Sequence, residues 1–564
     1  MLHYTEFKGY TPAVVGKKIK YDNNIFSFDI ESTSYIVLHG KQLETSKYLD
    51  LTDKEKDDCI FKTTMYIWQF SVNDTVYYGR TWQDFVHFLT MLNDVDPTTC
   101  KIVFVHNLAF EFQFLKSVVH FKNVFARKSH KVMKADLVDF NIQFRCSYFM
   151  SNCSLEQLAK VYNLDVQKLK GNLDYSKIRH FKTPLTKAEL DYCSNDCLVV
   201  YEYIKMELKE YQQVNLLPLT STGKVRRELQ RRVENDTSYY QETFNAINID
   251  PIVYDKLVQS FMGGYTHANY CYTDKTIPNV TSYDFTSSYP YVLLVEKYPM
   301  TQFRKCNIKS IKALSPKFAY IITIEFKEIE SQYMNNFISQ SKCKIRNGEY
   351  DNGRVIRAES LEITCTDVDL YIILASYNYK SYKILDCYYA IYDYLPIQYV
   401  NFILDKYENK TKYKGLNGYE TEYSKAKNLF NSLYGMTVTN LICDETIYED
   451  STGEWQEKEL TNDQIKKKLL EERKKAFLSF SWGVWVTAFA RRNLIENIMK
   501  LDRYCLYADT DSVKLKQGFD PNIIENYNKK VVAKIEDVCR KRNLKIDRFK
   551  PTDSKRKRTF NRCI

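Results

Sequence analysis

Apolar and polar residues alternate with period two in NIFSFDIEST (24–33), where Phe26, Phe28 and Ile30 interleave with Ser27, Asp29 and Glu31. The alternation predicts a strand that carries Asp29 and Glu31 on one face. In KIVFVHNLAFEFQFL (101–115) the continuous run Ile102–Val105 predicts a buried strand leading into a helix. Asn107 and Glu111, four apart, are expected on one face of that helix. TKAELDYCSNDCLVVYEYI (186–204) predicts a second helix, opened by a capping-box pattern of Thr186 and Glu189 and carrying Tyr192 and Asp196 at i and i+4. Further along, VTSYDFTSSYPYVLL (280–294) reads as a β-prone run ending at Asp284, a Thr/Ser turn, and an apolar stretch entered through Tyr289-Pro290. KAKNLFNSLYGMT (425–437) predicts a helix with Lys427, Asn431 and Tyr434 along one side, and Gly435 as a stopping or close-approach position. YADTDSV (507–513) sets Asp509 and Asp511 about Thr510, between an apolar, aromatic run and an alternating VKLK.

Composition narrows the class. A chain of 564 residues exceeds one compact core, so two to four domains are expected, and 44% hydrophobic content is ample to fill them. The net charge of +11 permits a polyanionic partner without requiring one. Fifteen cysteines without CxxC pairs or His-bearing zinc spacings read as reduced thiols of a cytosolic protein. The uncharged run AFLSFSWGVWVTAFA (476–490) falls short of the roughly 20 residues of a membrane span and predicts a core helix. With no apolar signal core near Met1, the expectation is a soluble, cytoplasmic protein with no membrane partner.

Taken singly, D-x-E is a solvent-facing acidic pair and D-T-D a hairpin tip. A Lys/Asn/Tyr stripe is unusual for a core face and suits a triphosphate and a base. If the first three elements converge, Asp29, Glu31, Glu111 and Asp196 gather four carboxylates that repel without cations. Two divalent ions roughly 3.5–4 Å apart can activate a water and stabilise the leaving oxygen of a phosphodiester. Tyr192, one turn from Asp196, is placed to orient that water.

The order D-I-E, H-N-x-x-F-E, Y-x-x-x-D resembles the three exonuclease motifs of proofreading domains in family B DNA polymerases. The resemblance implies that Asp29, Glu31 and Asp196 ligate metal, that Tyr192 orients water, and that Asn107 and Phe110 contact a single-stranded 3′ end. Glu111 stands where the family usually has Asp, which moves the carboxylate outward and weakens the expected nuclease. Three later stretches resemble polymerase motifs A (D-x-x-S-x-Y-P), B (K-x-x-x-N-S-x-Y-G) and C (Y-x-D-T-D-S), in the family's order. They imply that Asp284 and Asp511 hold two Mg²⁺ ions, with Mn²⁺ as a substitute, and that Asp509 supports them. Tyr289 would reject a 2′-OH, and Lys427, Asn431 and Tyr434 would bind the nucleotide. SFMGGYT (260–266) resembles the Y-x-G-G element of protein-primed members, implying close approach of DNA at Gly263 and Gly264. TAFAR (487–491) resembles a primer-binding T-x-x-A-R element, with Thr487 and with Arg491 on a phosphate.

The implied fold is multidomain α/β and α+β, an RNase H-like 3′–5′ exonuclease domain followed by a right-hand palm and fingers. Its expected bounds are 1–210 for the exonuclease, 211–265 for connecting helices and a glycine linker, and 266–564 for palm and fingers. Insertions are expected near 300–400 and 438–475, with DSTGEW as a hairpin turn in the second. The basic stretch after motif C reads as a solvated tail or a phosphate-binding arm, and the thumb as short or absent. The implied activity is template-directed DNA synthesis with proofreading, primed by a protein and serving a phage or mobile element in host cytoplasm. The implied partners are primer-template and single-stranded DNA, dNTPs, a terminal protein, and a second polypeptide supplying a thumb. Two alternatives stand beside it: a chain acting mainly as a 3′–5′ exonuclease, and a silent scaffold binding DNA or terminal protein.

Overall fold

The computed structural model describes residues 1–564 apart from 127, 168, 170–172, 235–241, 244, 248, 286–287, 439–441, 443–444, 546–555 and 564, and apart from the side chains of 421, 428, 431, 434, 445, 462, 473–475 and 556–563. Two compact units emerge. The first comprises 1–224, 413–428 and 444–460; the second comprises 225–412, 429–443 and 461–564. These divisions differ from the boundaries at 210 and 265 that the motifs suggest. Lys224 stays with the first unit because its ammonium pairs with Glu207 at 2.6 Å and donates to the Tyr203 hydroxyl at 3.1 Å.

The first unit is built on a ten-stranded sheet. Its longest strand, β1 (Tyr21–Leu38), extends the expected run in both directions. It pairs antiparallel with β2 (Ile60–Val72) and parallel with β3 (Cys100–Val105). The main path runs Leu2–His3, Thr75–Gly79, β2, β1, β3, Ile142–Cys146, Val132–Leu137, Phe121–Ala126. Period two sorts the side chains to two faces. Phe26, Phe28 and Val103 join one core with helices α1 (Trp82–Val95) and α2 (Leu108–Leu115). Ile25, Ile102 and Phe104 join another with α3 (Lys187–Tyr211). Helices therefore cover both faces. The capping box at the start of α3 forms as expected, with the Thr186 hydroxyl accepting from the Glu189 amide. A hairpin, Glu445–Glu449 with Glu454–Lys458, returns to this unit because Tyr448 packs edge-on and Trp455 tilted against Phe112, with ring centres 5.0 and 6.0 Å away. DSTGEW forms its turn.

The second unit holds two sheets. In the five-stranded sheet, β4 (Thr266–Ala268) and β5 (Thr276–Asp284) flank the hairpin of β6 (Cys505–Asp509) and β7 (Ser512–Leu515), in the order β4-β6-β7-β5. Strand Arg556–Cys563 completes it beside β5. The second sheet lies in the expected 300–400 insertion. It is antiparallel, with Phe318–Ser331 between Arg354–Thr366 and Ser381–Tyr394. Helices α4 (Ser288–Val295), α5 (Asp367–Ser376), α6 (Ile397–Lys412) and α7 (Glu420–Thr437) precede α8 (Phe480–Leu501) in the chain. Residues 480–491 of α8 are all buried, so the uncharged run is apolar all round because core surrounds it. The basic stretch expected as a tail begins as helix α9 (Asn522–Lys541), which buries Ile524, Val531, Ile535, Val538 and Cys539. This is the pattern of an amphipathic helix packed on one face. Among the described residues no helix is long and apolar enough to cross a membrane.

Candidate active sites

In the first unit, one oxygen from each of Asp29, Glu31 and Asp196 lies within 4.8 Å of the others. The strand alternation turns Asp29 and Glu31 toward α3, which brings Asp196 to them from 165 residues further along the chain. Glu111 reaches the group from α2 and is 3% exposed. Burial, and then the charges of Asp29 and Glu31, push its carboxyl well above the usual carboxylate range. Its Oε2 has no hydrogen-bond partner among the described residues. An oxygen-only donor set with an unsatisfied buried carboxylate oxygen fits a hard divalent cation. Asn107 is not helical: it caps α2 in the left-handed region at φ +73°, where Asn is tolerated. The expected shared face with Glu111 therefore does not form. Asn107 and Phe110 are exposed while Glu111 is buried.

Two neighbours of this group carried no decisive sequence signal. Gln69 lies opposite Asp29 on β2 and donates to its Oδ2 at 2.6 Å. A lone Gln in the apolar run MYIWQF was the available hint. Tyr192 is buried, its phenol pushed up to about 12 chiefly by that burial, and its hydroxyl lies 3.0 Å from that of Tyr175. Arg179 pairs with Glu189 at 2.6 Å and donates to the Lys177 carbonyl at 3.2 Å, which fastens the segment bearing Tyr175 to the start of α3.

In the second unit, YADTDSV is both a tight turn and a carboxylate cluster. Asp509 ends β6, opposite Ser512, and Thr510 takes φ +56°. β5 pairs with β7 so that Asp284 lies opposite Ser512, and the Phe285 amide donates to the Asp511 carbonyl at 2.6 Å. Strand pairing thus joins Asp284 to a turn more than 220 residues away. Burial, then the charges of Asp284 and Asp509, raise the Asp511 carboxyl to about 6. Asp511 thus feels the negative charge of both Asp284 and Asp509, carboxylates of the type that divalent cations take as ligands. Lys410, on α6, opposes the shift at Asp511. Nothing in the run KYENKTKYK set it apart from its neighbouring lysines.

Tyr289 is half-buried, and burial pushes its hydroxyl up to about 12, with Asp511 and Asp509 adding to the shift and Arg491 opposing it. Lys427 is exposed on α7. The side chains of Asn431 and Tyr434 lie outside the described residues.

The residues expected to approach DNA sit as follows. A Cβ on Gly264 would stand 2.7 Å from Thr510 Oγ1, so this glycine admits the Thr510 turn where close approach of DNA was expected. Gly263 has open space about it and offers its carbonyl to Arg491 at 2.7 Å. Thr487 and Arg491 are 0% and 2% exposed. The Thr487 hydroxyl donates to the Val484 carbonyl at 3.0 Å, and the Arg491 guanidinium is bound to Asp369.

Residues 169–479 match the protein family described as DNA polymerase type B, organellar and viral. The DNA polymerase of Streptococcus phage Cp-1 is 23% identical over 466 residues, 78% of this chain and 76% of the phage protein. That of Bacillus phage phi29 is 23% identical over 386 residues, 66% of this chain and 60% of the relative. Among solved structures, phi29 DNA polymerase complexed with primer-template DNA matches with a TM-score of 0.65 at 18% identity, over 89% of this chain and 82% of that one. The same polymerase complexed with single-stranded DNA matches with a TM-score of 0.64 at 17% identity. These likenesses establish a common fold.

Proposed function

Because the chain belongs to the type B DNA polymerases of the organellar and viral kind, we propose that its second unit extends a primer on a DNA template and that its first unit removes nucleotides from a 3′ end. The observation that carries the proposal is the strand pairing that sets Asp284 beside the Asp509–Asp511 turn. Asp284 and Asp511 would hold two Mg²⁺ ions, and Asp509 would support them from the adjoining strand end. Bound there, the ions supply charge for the triphosphate and lower the pKa of the primer's 3′-hydroxyl. The protein's part is to hold the end of the Asp284 strand beside the Asp509–Asp511 turn before substrate arrives. Lys410 places a positive charge near Asp511, where a triphosphate's negative charge would come. Tyr289 would lie against the nucleotide sugar.

In the first unit Asp29, Glu31, Asp196 and Glu111 would hold the ions of the nuclease centre. Tyr192, kept protonated, is a donor that can orient a water for in-line attack. Gln69 fixes the Asp29 carboxylate, and Tyr175 fixes the Tyr192 hydroxyl. Exposed Phe110 offers an aromatic ring for an unpaired base, and Asn107 a hydrogen-bonding edge. Initiation from a terminal protein, on the insertion sheet 297–394 and in host cytoplasm, completes the reading.

The test uses a 5′-labelled primer-template with Mg²⁺, with and without the four dNTPs. Extension with dNTPs and shortening without them are expected. Shortening in both reactions would overturn the polymerase reading, and a stable primer in both would overturn the two activities together.

A further inference from the structure

The carboxylates of the 509–511 turn repel one another, so the turn needs anchors outside its own hairpin. One anchor is the loop before β4: the Thr510 amide donates to the Tyr265 carbonyl at 2.8 Å, and Gly264 packs directly on the Thr510 side chain. The loop is itself held. Tyr265 is buried, its hydroxyl donates to the Asn336 carbonyl at 2.9 Å, and the Arg354 guanidinium lies 4.6 Å from its ring centre. Its other end is held by Arg491, whose Nη1 donates to the carbonyls of Gly263, at 2.7 Å, and Met262. Arg491 Nε and Nη2 grip both oxygens of Asp369, at 2.8–3.0 Å. Asp369 is fixed in turn by Thr366, whose hydroxyl donates to its carboxylate at 2.9 Å and accepts from its amide at 3.0 Å.

Each nitrogen of the Arg491 guanidinium is thus engaged inside the protein, and the side chain is 2% exposed. We propose that Arg491 is a positioning residue, which through Gly263 and the 262–265 loop holds the Asp509–Asp511 turn in the geometry primer extension requires. Asp369, in the first turn of α5, is its counter-anchor. The inference rests on the reading of that turn as the polymerase centre. Lysine cannot replace the arginine: one ammonium does not span a bidentate carboxylate and two carbonyls together.

The full chain is compared with R491K, D369N, G264A and the double variant G264A/T510G, measuring extension kcat, KM for dNTP, primer-template affinity and backbone amide exchange. Loss of a supporting contact of this kind costs on the order of 10- to 100-fold. R491K and D369N are expected to lower kcat by that factor with primer-template affinity unchanged, and to speed exchange across 505–515 but not across β1. Their double variant should lose no more than either alone. G264A should lose kcat likewise, and T510G should restore part of it, because glycine removes the clashing atoms and accepts φ +56°. A loss seen as weaker primer-template binding with unchanged kcat and exchange would overturn the inference in favour of a nucleic-acid contact. Unchanged kcat and exchange would overturn it outright. Should the parent chain itself fail to extend, the functional reading falls. The exchange comparison then still decides whether Arg491 braces the turn.

Discussion

At the scale of single residues, each centre contains one carboxylate that burial makes costly to ionise, Glu111 in the first unit and Asp511 in the second. Asp511 is the clearer case, with its carboxyl raised to about 6 by burial and by Asp284 and Asp509. An aspartate near 3.9 in the unfolded chain binds its proton more tightly in the folded one. Between about pH 4 and pH 6 the folded state therefore holds the extra proton. The contribution to stability is full below about 4 and is lost as pH rises through about 6. D511N should raise the melting temperature of the cation-free protein at pH 7, by an effect of about 2–3 kcal/mol. The gain should shrink as pH falls toward 4, and extension should drop by about 10³-fold or more. Melting curves from pH 4 to 8 in a chelator check this. A gain that does not vary with pH would show that Asp511 is not the titrating group. Such a stability cost at a working site is the common exchange between activity and stability.

At the scale of elements, α8 organises the second unit. Its long buried stretch lets neighbouring chain approach from every side, and at Gly483 the approach is backbone to backbone. A Cβ there would stand 2.4 Å from Val438 Cγ1 and 2.8 Å from the Thr437 carbonyl oxygen, at the end of α7. A backbone carbonyl cannot swing aside as a flexible side chain can. G483A is expected to destabilise the protein by about 1–3 kcal/mol through overpacking. This would appear as a lower melting temperature, with the nuclease rate of the surviving folded protein unchanged. A neutral or stabilising result would mean that the two helix ends separate without cost. On helix propensity alone the substitution should gain roughly 1 kcal/mol, so the sign discriminates between the two effects.

At the scale of the whole molecule, the two carboxylate groups lie in different compact units and draw on different strands. Their chemistry is expected to separate cleanly. D196N should abolish shortening and leave extension, whereas D284N should abolish extension and leave shortening, each by about 10³-fold or more at the affected centre. The labelled-primer gel reads both in one experiment. Loss of both activities in either variant would show that the two groups do not work as separate centres.

What the sequence determined by itself was whatever short-range patterning encodes. Period two placed Asp29 and Glu31 on one face, the Thr186/Glu189 pattern opened α3, and the apolar, D-T-D, alternating order built the β6–β7 hairpin. Each depends on backbone geometry over a few residues, so it is legible without knowledge of the partner. The ordered series of motifs indicated the family, although no single motif did. Only the tertiary structure decided which distant residues meet. It set Asp284 opposite Ser512, put Gln69 on Asp29 and Tyr175 on Tyr192, and returned the 445–458 hairpin to Phe112. It also turned Arg491 inward onto Asp369, a partner that nothing in TAFAR could name. The reason is physical: an arginine at the end of an apolar run is placed by whichever buried carboxylate and carbonyls come to meet it, and those come from elsewhere in the chain.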